Sequence, residues 1–166
     1  MSYDKVMIVA HPDDETIFGG AQLIKEPGWL VICVTNADHP VRRREFTKVM
    51  GRVKASYEMW TYEDKWGGSF DSKKLKADIA DVLARKPARK VVTHNLEGEY
   101  GHSQHKALSQ LVHKLVDANL YVFDKSDKKL KEPLLSMKQE LLAYYKSQEI
   151  AWLKNYIEYE SIKQVR

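Results

Sequence analysis

Short runs of apolar and β-branched residues alternate along this chain with longer stretches whose apolar positions recur at helical spacing. KVMIVA, WLVICVT, KVVTH and NLYVFD are the runs, and a weaker one lies near Trp60 to Tyr62. TIFGGAQLIKE, EFTKVMGRVKASYEMW, SKKLKADIADVLARK and a segment from about Ser103 to Asp117 carry the helical period. Pro133 opens the terminal helices, which are expected to run through LLSMKQELLAYYKSQEIAWLKNYIEYE. Strands that alternate with helices predict an α/β fold. The expectation is one Rossmann-like domain over residues 1–166, with a mostly parallel sheet in the order 3-2-1-4-5 and helices on both faces.

Polar residues gather where that architecture places ligands. AHPDDE (His11, Asp13, Asp14 and Glu15 among them) follows the first strand directly, and GHSQH, with His102 and His105, follows KVVTH by one polar loop, NLEGEYG. In the order 3-2-1-4-5, strands one and four are neighbours at the topological switch point, so the two loops meet over one crevice at the carboxyl ends of the strands. Paired carboxylates beside imidazoles are costly there unless a cation holds them. Catalytic zinc typically takes three protein ligands and keeps one position open. His11, Asp14 and His105 supply such a set, which leaves Asp13 as a base.

Each segment alone also has a plain structural reading. An aspartate pair at a helix start caps the helix and complements its dipole, and a lone histidine is commonly structural. It is the pair of segments at matched strand ends that favours chemistry.

Composition narrows the class without changing this picture. A chain of 166 residues, 43% hydrophobic and 30% charged, can bury a core without metal or disulfide support, which leaves a metal free for catalysis. No apolar run is long enough to span a bilayer. The N-terminal apolar stretch reads as a strand rather than a signal peptide. The lone Cys33, inside an apolar strand, points to a reducing compartment, with the cytoplasm as the expected location. A net charge of +4 is spread along helical segments, so no nucleic-acid partner is expected.

At these residues the chain resembles the PIG-L/LmbE family of zinc-dependent N-acetylglucosamine deacetylases. The opening AHPDDE, the block THNLEGEYGHSQHKAL, RRREF with Arg42 and Glu45, and the closing KQELLAYYKSQ with Tyr145, Ser147 and Gln148 all match in order. The resemblance implies His11, Asp14 and His105 as metal ligands, with Zn2+ the expected ion and other divalent transition metals able to use the same donors. It further implies that Asp13 moves the proton to the leaving amine. His102 is implied to stabilise charge on the carbonyl oxygen, and Tyr100 to assist as a hydrogen-bond donor. Arg42 is implied to bind substrate, although Arg43 and Arg44 leave its register open by a position.

The expected reaction is therefore hydrolysis of the N-acetyl amide of an amino sugar or glycoconjugate, giving acetate and a free amine. One departure stands out: the usual HPDH or HPNH block reads His102, Ser103, Gln104, His105. Gln104 cannot supply the negative charge that holds an imidazole protonated, so His102 is expected to act less as a cation.

Two other functions compete. A metal hydrolase of a different amide or ester uses the same ligands. A non-catalytic Rossmann-like binding module requires a glycine-rich turn after strand one, where HPDDE stands instead. Of the remaining residues, His94 is either an orienting or a structural histidine, while His39 and His113 are expected in solvent. Trp60 and Trp152 are read as core, and Trp66 in WGGSF as an exposed ring.

Overall fold

Two alternating sets of side chains along the central strands organise the protein. In the computed structural model, which describes residues 2–166, β1 (Lys5–Val9) and β2 (Trp29–Thr35) are buried at every position. Parallel strands are buried in this way when helices cover both faces of their sheet. Met7, Val9, Val31 and Cys33 join one core, with Phe18 and Leu23 of α1 (Asp14–Lys25) and Phe46, Val49 and Met50 of α2 (Pro40–Val53). Val6, Ile8, Leu30 and Ile32 join the other, packed on Leu75 and Ile79 of α3 (Ser72–Ala84) and on Leu108 and Val112 of α5 (Ser103–Leu115).

β3 (Ser56–Tyr62), β4 (Lys90–Thr93) and β5 (Leu120–Lys125) complete the parallel strands. The sheet runs β3-β2-β1-β4-β5-β6, and β6 (Glu160–Gln164) lies antiparallel to β5 at the edge. The expected order 3-2-1-4-5 is therefore present, extended by one strand. β1 pairs with β2 on one side and with β4 on the other, so the switch point falls between β1 and β4. No helix among the described residues is long and apolar enough to cross a membrane.

Two expectations about elements fail for local reasons. The helical period through EFTKVMGRVKASYEMW stops at Val53, because Lys54 turns left-handed at φ 57° and releases Ser56–Tyr62 into β3. The terminal stretch is not a run of helices to its end. α6 (Leu134–Leu142) stops, and after a 3-10 turn at Ala151–Leu153 and the short α7 (Lys154–Glu158) the chain becomes β6. The exposed edge of β5 supplies the hydrogen-bonding partner that makes β6 a strand, pairing Phe123 with Ile162.

Candidate metal centre

The loop after β1 is tightly wired. Asp14 Oδ2 accepts the His11 backbone N–H at 2.9 Å, and Glu15 Oε1 accepts that of Asp13 at 3.0 Å. Glu15 is fully buried and also accepts the hydroxyls of Thr16 and Tyr145, each at 2.5 Å. Burial nevertheless raises its pKa to about 6. Asp13 itself sits at φ 122°, ψ −28°, outside the regions that favour a residue with a side chain.

After β4 the chain makes a single helical turn, α4 (Gly98–Gly101), with Glu99 at φ 59°, ψ −81°. Two strained non-glycine residues thus face one crevice, as is common where function fixes the backbone.

The crevice brings the three expected ligands together. Asp14 Oδ2 lies 3.3 Å from His11 Nδ1 and 3.1 Å from His105 Nε2, and the two nitrogens are 3.2 Å apart. Ligand atoms about 2.0–2.1 Å from a tetrahedral zinc stand about 3.3 Å from one another, so this triangle has the size a zinc ion requires. All three residues are buried.

The surroundings favour positive charge. Burial opposes ionisation of Asp14, but the adjoining His105 and His11 outweigh it and hold the carboxyl well below the usual range. Burial likewise opposes the His105 cation, yet Asp14 and Glu99 raise its pKa to about 10. A field that holds a proton so firmly suits a divalent cation equally.

Partners behind the ligands set which nitrogen faces the ion. Glu99 Oε1 lies 2.9 Å from His105 Nδ1, which leaves His105 Nε2 for a metal. Gln104 Oε1, an acceptor only, lies 2.7 Å from His11 Nε2, which places the proton there and leaves Nδ1 free. Other donor groupings are also close: His102 gathers with His11 and His105, and His94 with Asp14 and His105. His94 Nε2, however, already accepts the Ala10 N–H at 3.0 Å while its Nδ1 meets Glu99 at 2.7 Å. Its lone pair is spent, and burial followed by the His105 charge lowers its pKa. His94 is a positioning residue in this arrangement.

The other expected site residues surround the triangle. Asp13 is 7% exposed, and burial followed by the charge of Asp14 raises its pKa well above the normal carboxylate range. His102 stacks on His105 with centroids 4.5 Å apart, and its Nδ1 accepts the Gln104 backbone N–H at 3.1 Å, so the proton of the neutral ring sits on Nε2. Burial and the neighbouring His105 and His11 push its pKa down to about 4. The Tyr100 ring lies 5.6 Å from that of His105 and 6.0 Å from that of His102. Burial raises its pKa, so the hydroxyl keeps its proton.

Among the three arginines, Arg42 turns into the crevice. It donates to Asp64 at 2.8 Å and to the Pro12 carbonyl at 2.9 Å, and stands 4.0 Å from Asp13. Its Nε is buried with no partner. Arg43 reaches back to the Ala37 carbonyl, and Arg44 lines a separate groove of about 740 Å³ between α2 and α6.

Two participants escape the sequence reading, and a third, Gln104, serves a different partner. Glu99 bridges His94 and His105, and Asp64 sits 3.3 Å from His11 Nε2 while holding Arg42; both lie in short polar stretches where a carboxylate carries no periodic signal. Gln104 was expected beside His102. Its side chain instead turns to His11 and to the loop after β3, and only its backbone N–H reaches His102. Trp152, expected in the core, is 61% exposed.

Residues 6–116 match the PIG-L family, described as GlcNAc-PI de-N-acetylase. The uncharacterized protein L374 of Acanthamoeba polyphaga mimivirus is 41% identical over 177 residues, spanning 95% of this chain and 78% of the viral protein. Among solved structures, the conserved protein TT1542 of Thermus thermophilus superposes with a TM-score of 0.72 at 15% identity, covering 96% of this chain and 92% of its own. The N,N'-diacetylchitobiose deacetylase of Pyrococcus horikoshii superposes at 0.67 with 14% identity, over 90% of this chain and 72% of that one. At such identities the likeness is one of fold.

Proposed function

This chain belongs to the PIG-L family, and from that membership we propose that it is a metal-dependent deacetylase that hydrolyses the N-acetyl amide of an amino sugar or sugar conjugate. The observation that carries the reading is the triangle of His11 Nδ1, Asp14 Oδ2 and His105 Nε2, with sides of 3.1 to 3.3 Å, beside an Asp13 carboxyl outside that set. Those three atoms would hold the ion, and two imidazoles with one carboxylate favour zinc. Held there, zinc would supply Lewis acidity to the amide carbonyl and a nucleophile at neutral pH.

The chain's own groups then divide the remaining work. Asp13 takes the proton from the attacking water and delivers it to the departing nitrogen, so that water and amide become acetate and amine. His102 is neutral with its proton on Nε2, and donates that N–H toward the carbonyl oxygen as negative charge builds there. Tyr100 presents a second protonated donor beside the same rings. Arg42, held by Asp64 and the Pro12 carbonyl 4.0 Å from Asp13, stands at the crevice as the substrate-binding arginine.

Acetate release from a panel of N-acetylated amino sugars tests the proposal, before and after chelation and zinc addition. Release that stops on chelation and returns with zinc is expected. Full activity in the chelated protein would remove the metal from the account. Hydrolysis confined to esters would replace the amide as substrate.

A further inference from the structure

Two tryptophans stand out from solvent beside the centre. Trp66 is 78% exposed and Trp152 61%, although an indole is among the most favourable groups to bury. Neither is isolated. The Trp66 ring meets His102 edge-on at 4.8 Å, Trp152 meets Tyr100 edge-on at 4.8 Å, and Tyr100 meets His102 at 6.0 Å. The contacts run Trp66, His102, Tyr100, Trp152, with the reacting centre between the two indoles.

Both rings are held in place. Trp66 rides on the loop between β3 and α3, and the fully buried Gln104 closes that loop. Its Nε2 donates to the carbonyls of Glu63 at 2.7 Å and Ser69 at 3.3 Å, and its Oε1 accepts the Lys65 N–H at 3.1 Å. The same oxygen takes the His11 Nε2 proton, so one amide fixes both a metal histidine and the exposed indole. Trp152 Nε1 donates to the Glu149 carbonyl at 3.0 Å. Ordering of these rings does not have to wait for a ligand, which favours binding.

We infer that this aromatic ridge is a saccharide track, and that the substrate is an acetylated amino sugar carrying at least one further sugar ring. The inference rests on the deacetylase reading above and extends it to substrate class. Between the indoles the crevice offers the Asp13 carboxyl and the His102 Nε2–H, which a wholly apolar ligand would leave unpaired at a cost. The ligand that fits is apolar on its ring faces and polar at its edges, as a pyranose is. Trp66, beside His102, takes the acetylated ring. Trp152, beyond Tyr100, takes the neighbouring one.

The test compares N-acetylglucosamine with its β-1,4-linked trisaccharide in the wild type and in W66A, W152A and W152F. Acetate release gives kcat and KM, and intrinsic tryptophan fluorescence gives trisaccharide binding to the chelated protein. The wild type is expected to favour the trisaccharide about tenfold in KM; W152A loses that preference and W152F keeps most of it. The fluorescence response to trisaccharide weakens in both alanine variants.

An unchanged preference in W152A overturns the ridge, as does a wild type indifferent to chain length; acetate release would then leave the deacetylase reading standing. Self-association of the wild type that W152A abolishes, without saccharide binding, makes the ridge a contact between copies and also overturns it. If no sugar releases acetate while the trisaccharide still binds the wild type and not the variants, the deacetylase reading falls and the ridge remains.

Discussion

Two groups of buried charge in this fold are built on opposite plans. Lys138 of α6 and Glu160 of β6 form a closed pair: Lys138 Nζ reaches Glu160 at 2.6 Å and the carbonyls of Ile17 and Ile157 at 2.7 and 2.8 Å, while Glu160 accepts the N–H groups of Ala21 and Gln22. Burial pushes the lysine down and the carboxylate up, and each partner opposes the other's shift. Charge balances, the three ammonium donors are used, and α1 is tied to both C-terminal elements. Around His11, Asp14 and His105 the acceptors converge on one point instead, supported by strained backbone at Asp13 and Glu99. Structural burial of charge satisfies itself, whereas a site keeps its demand directed at a ligand.

That contrast breaks most sharply at Asp13, which the ligand triangle does not use. D13N is expected to lower acetate release by about 10²–10⁴-fold, the usual worth of a general acid–base group. Metal analysis should find the ion content unchanged. Near-normal turnover would assign the proton to another residue.

A smaller but still large effect belongs to the closed pair. K138M leaves Glu160 buried without its cation and should cost about 3–5 kcal/mol in urea unfolding. In that variant the Glu160 pKa, already raised by burial, rises further. Above about 4.3, where the unfolded chain has lost this proton, the folded state retains it, so the loss shrinks as pH falls toward that value. A double change, K138M with E160L, should recover much of the stability, because apolar replacements of a buried pair are commonly tolerated. Equal losses at pH 5 and pH 8 in K138M would show that the missing charge is not the cause.

The mildest effect sharpens the open centre. E99Q keeps the shape of Glu99 but removes the charge facing His94 and His105, and metal affinity should fall about 10–100-fold in a competition titration. Unchanged affinity would mean that the geometry of the triangle suffices without the carboxylate behind it.

Much of this protein is legible in its sequence, though unevenly. β1, β2, β4 and β5 announce themselves because burial on both faces demands unbroken apolar runs, and AHPDDE is conspicuous because such charge directly after a buried strand needs a reason. The strand at Glu160–Gln164 gave no such signal: an edge strand buried at one end carries lysine and glutamine where a central strand carries valine. RRREF left three arginines open, and the fold selects Arg42 through Asp64 and the Pro12 carbonyl.

Local pattern along the chain is enough to set the succession of strands and helices, the two polar loops at strand ends, and the residue types able to hold an ion. It takes the assembled fold to make Gln104 serve His11, to set Glu99 behind His105, and to turn Trp152 to water beside Tyr100. The reason is range. Apolar periodicity records how each residue meets its immediate surroundings, whereas His11 and Gln104 meet across 93 positions because the sheet order makes β1 and β4 neighbours.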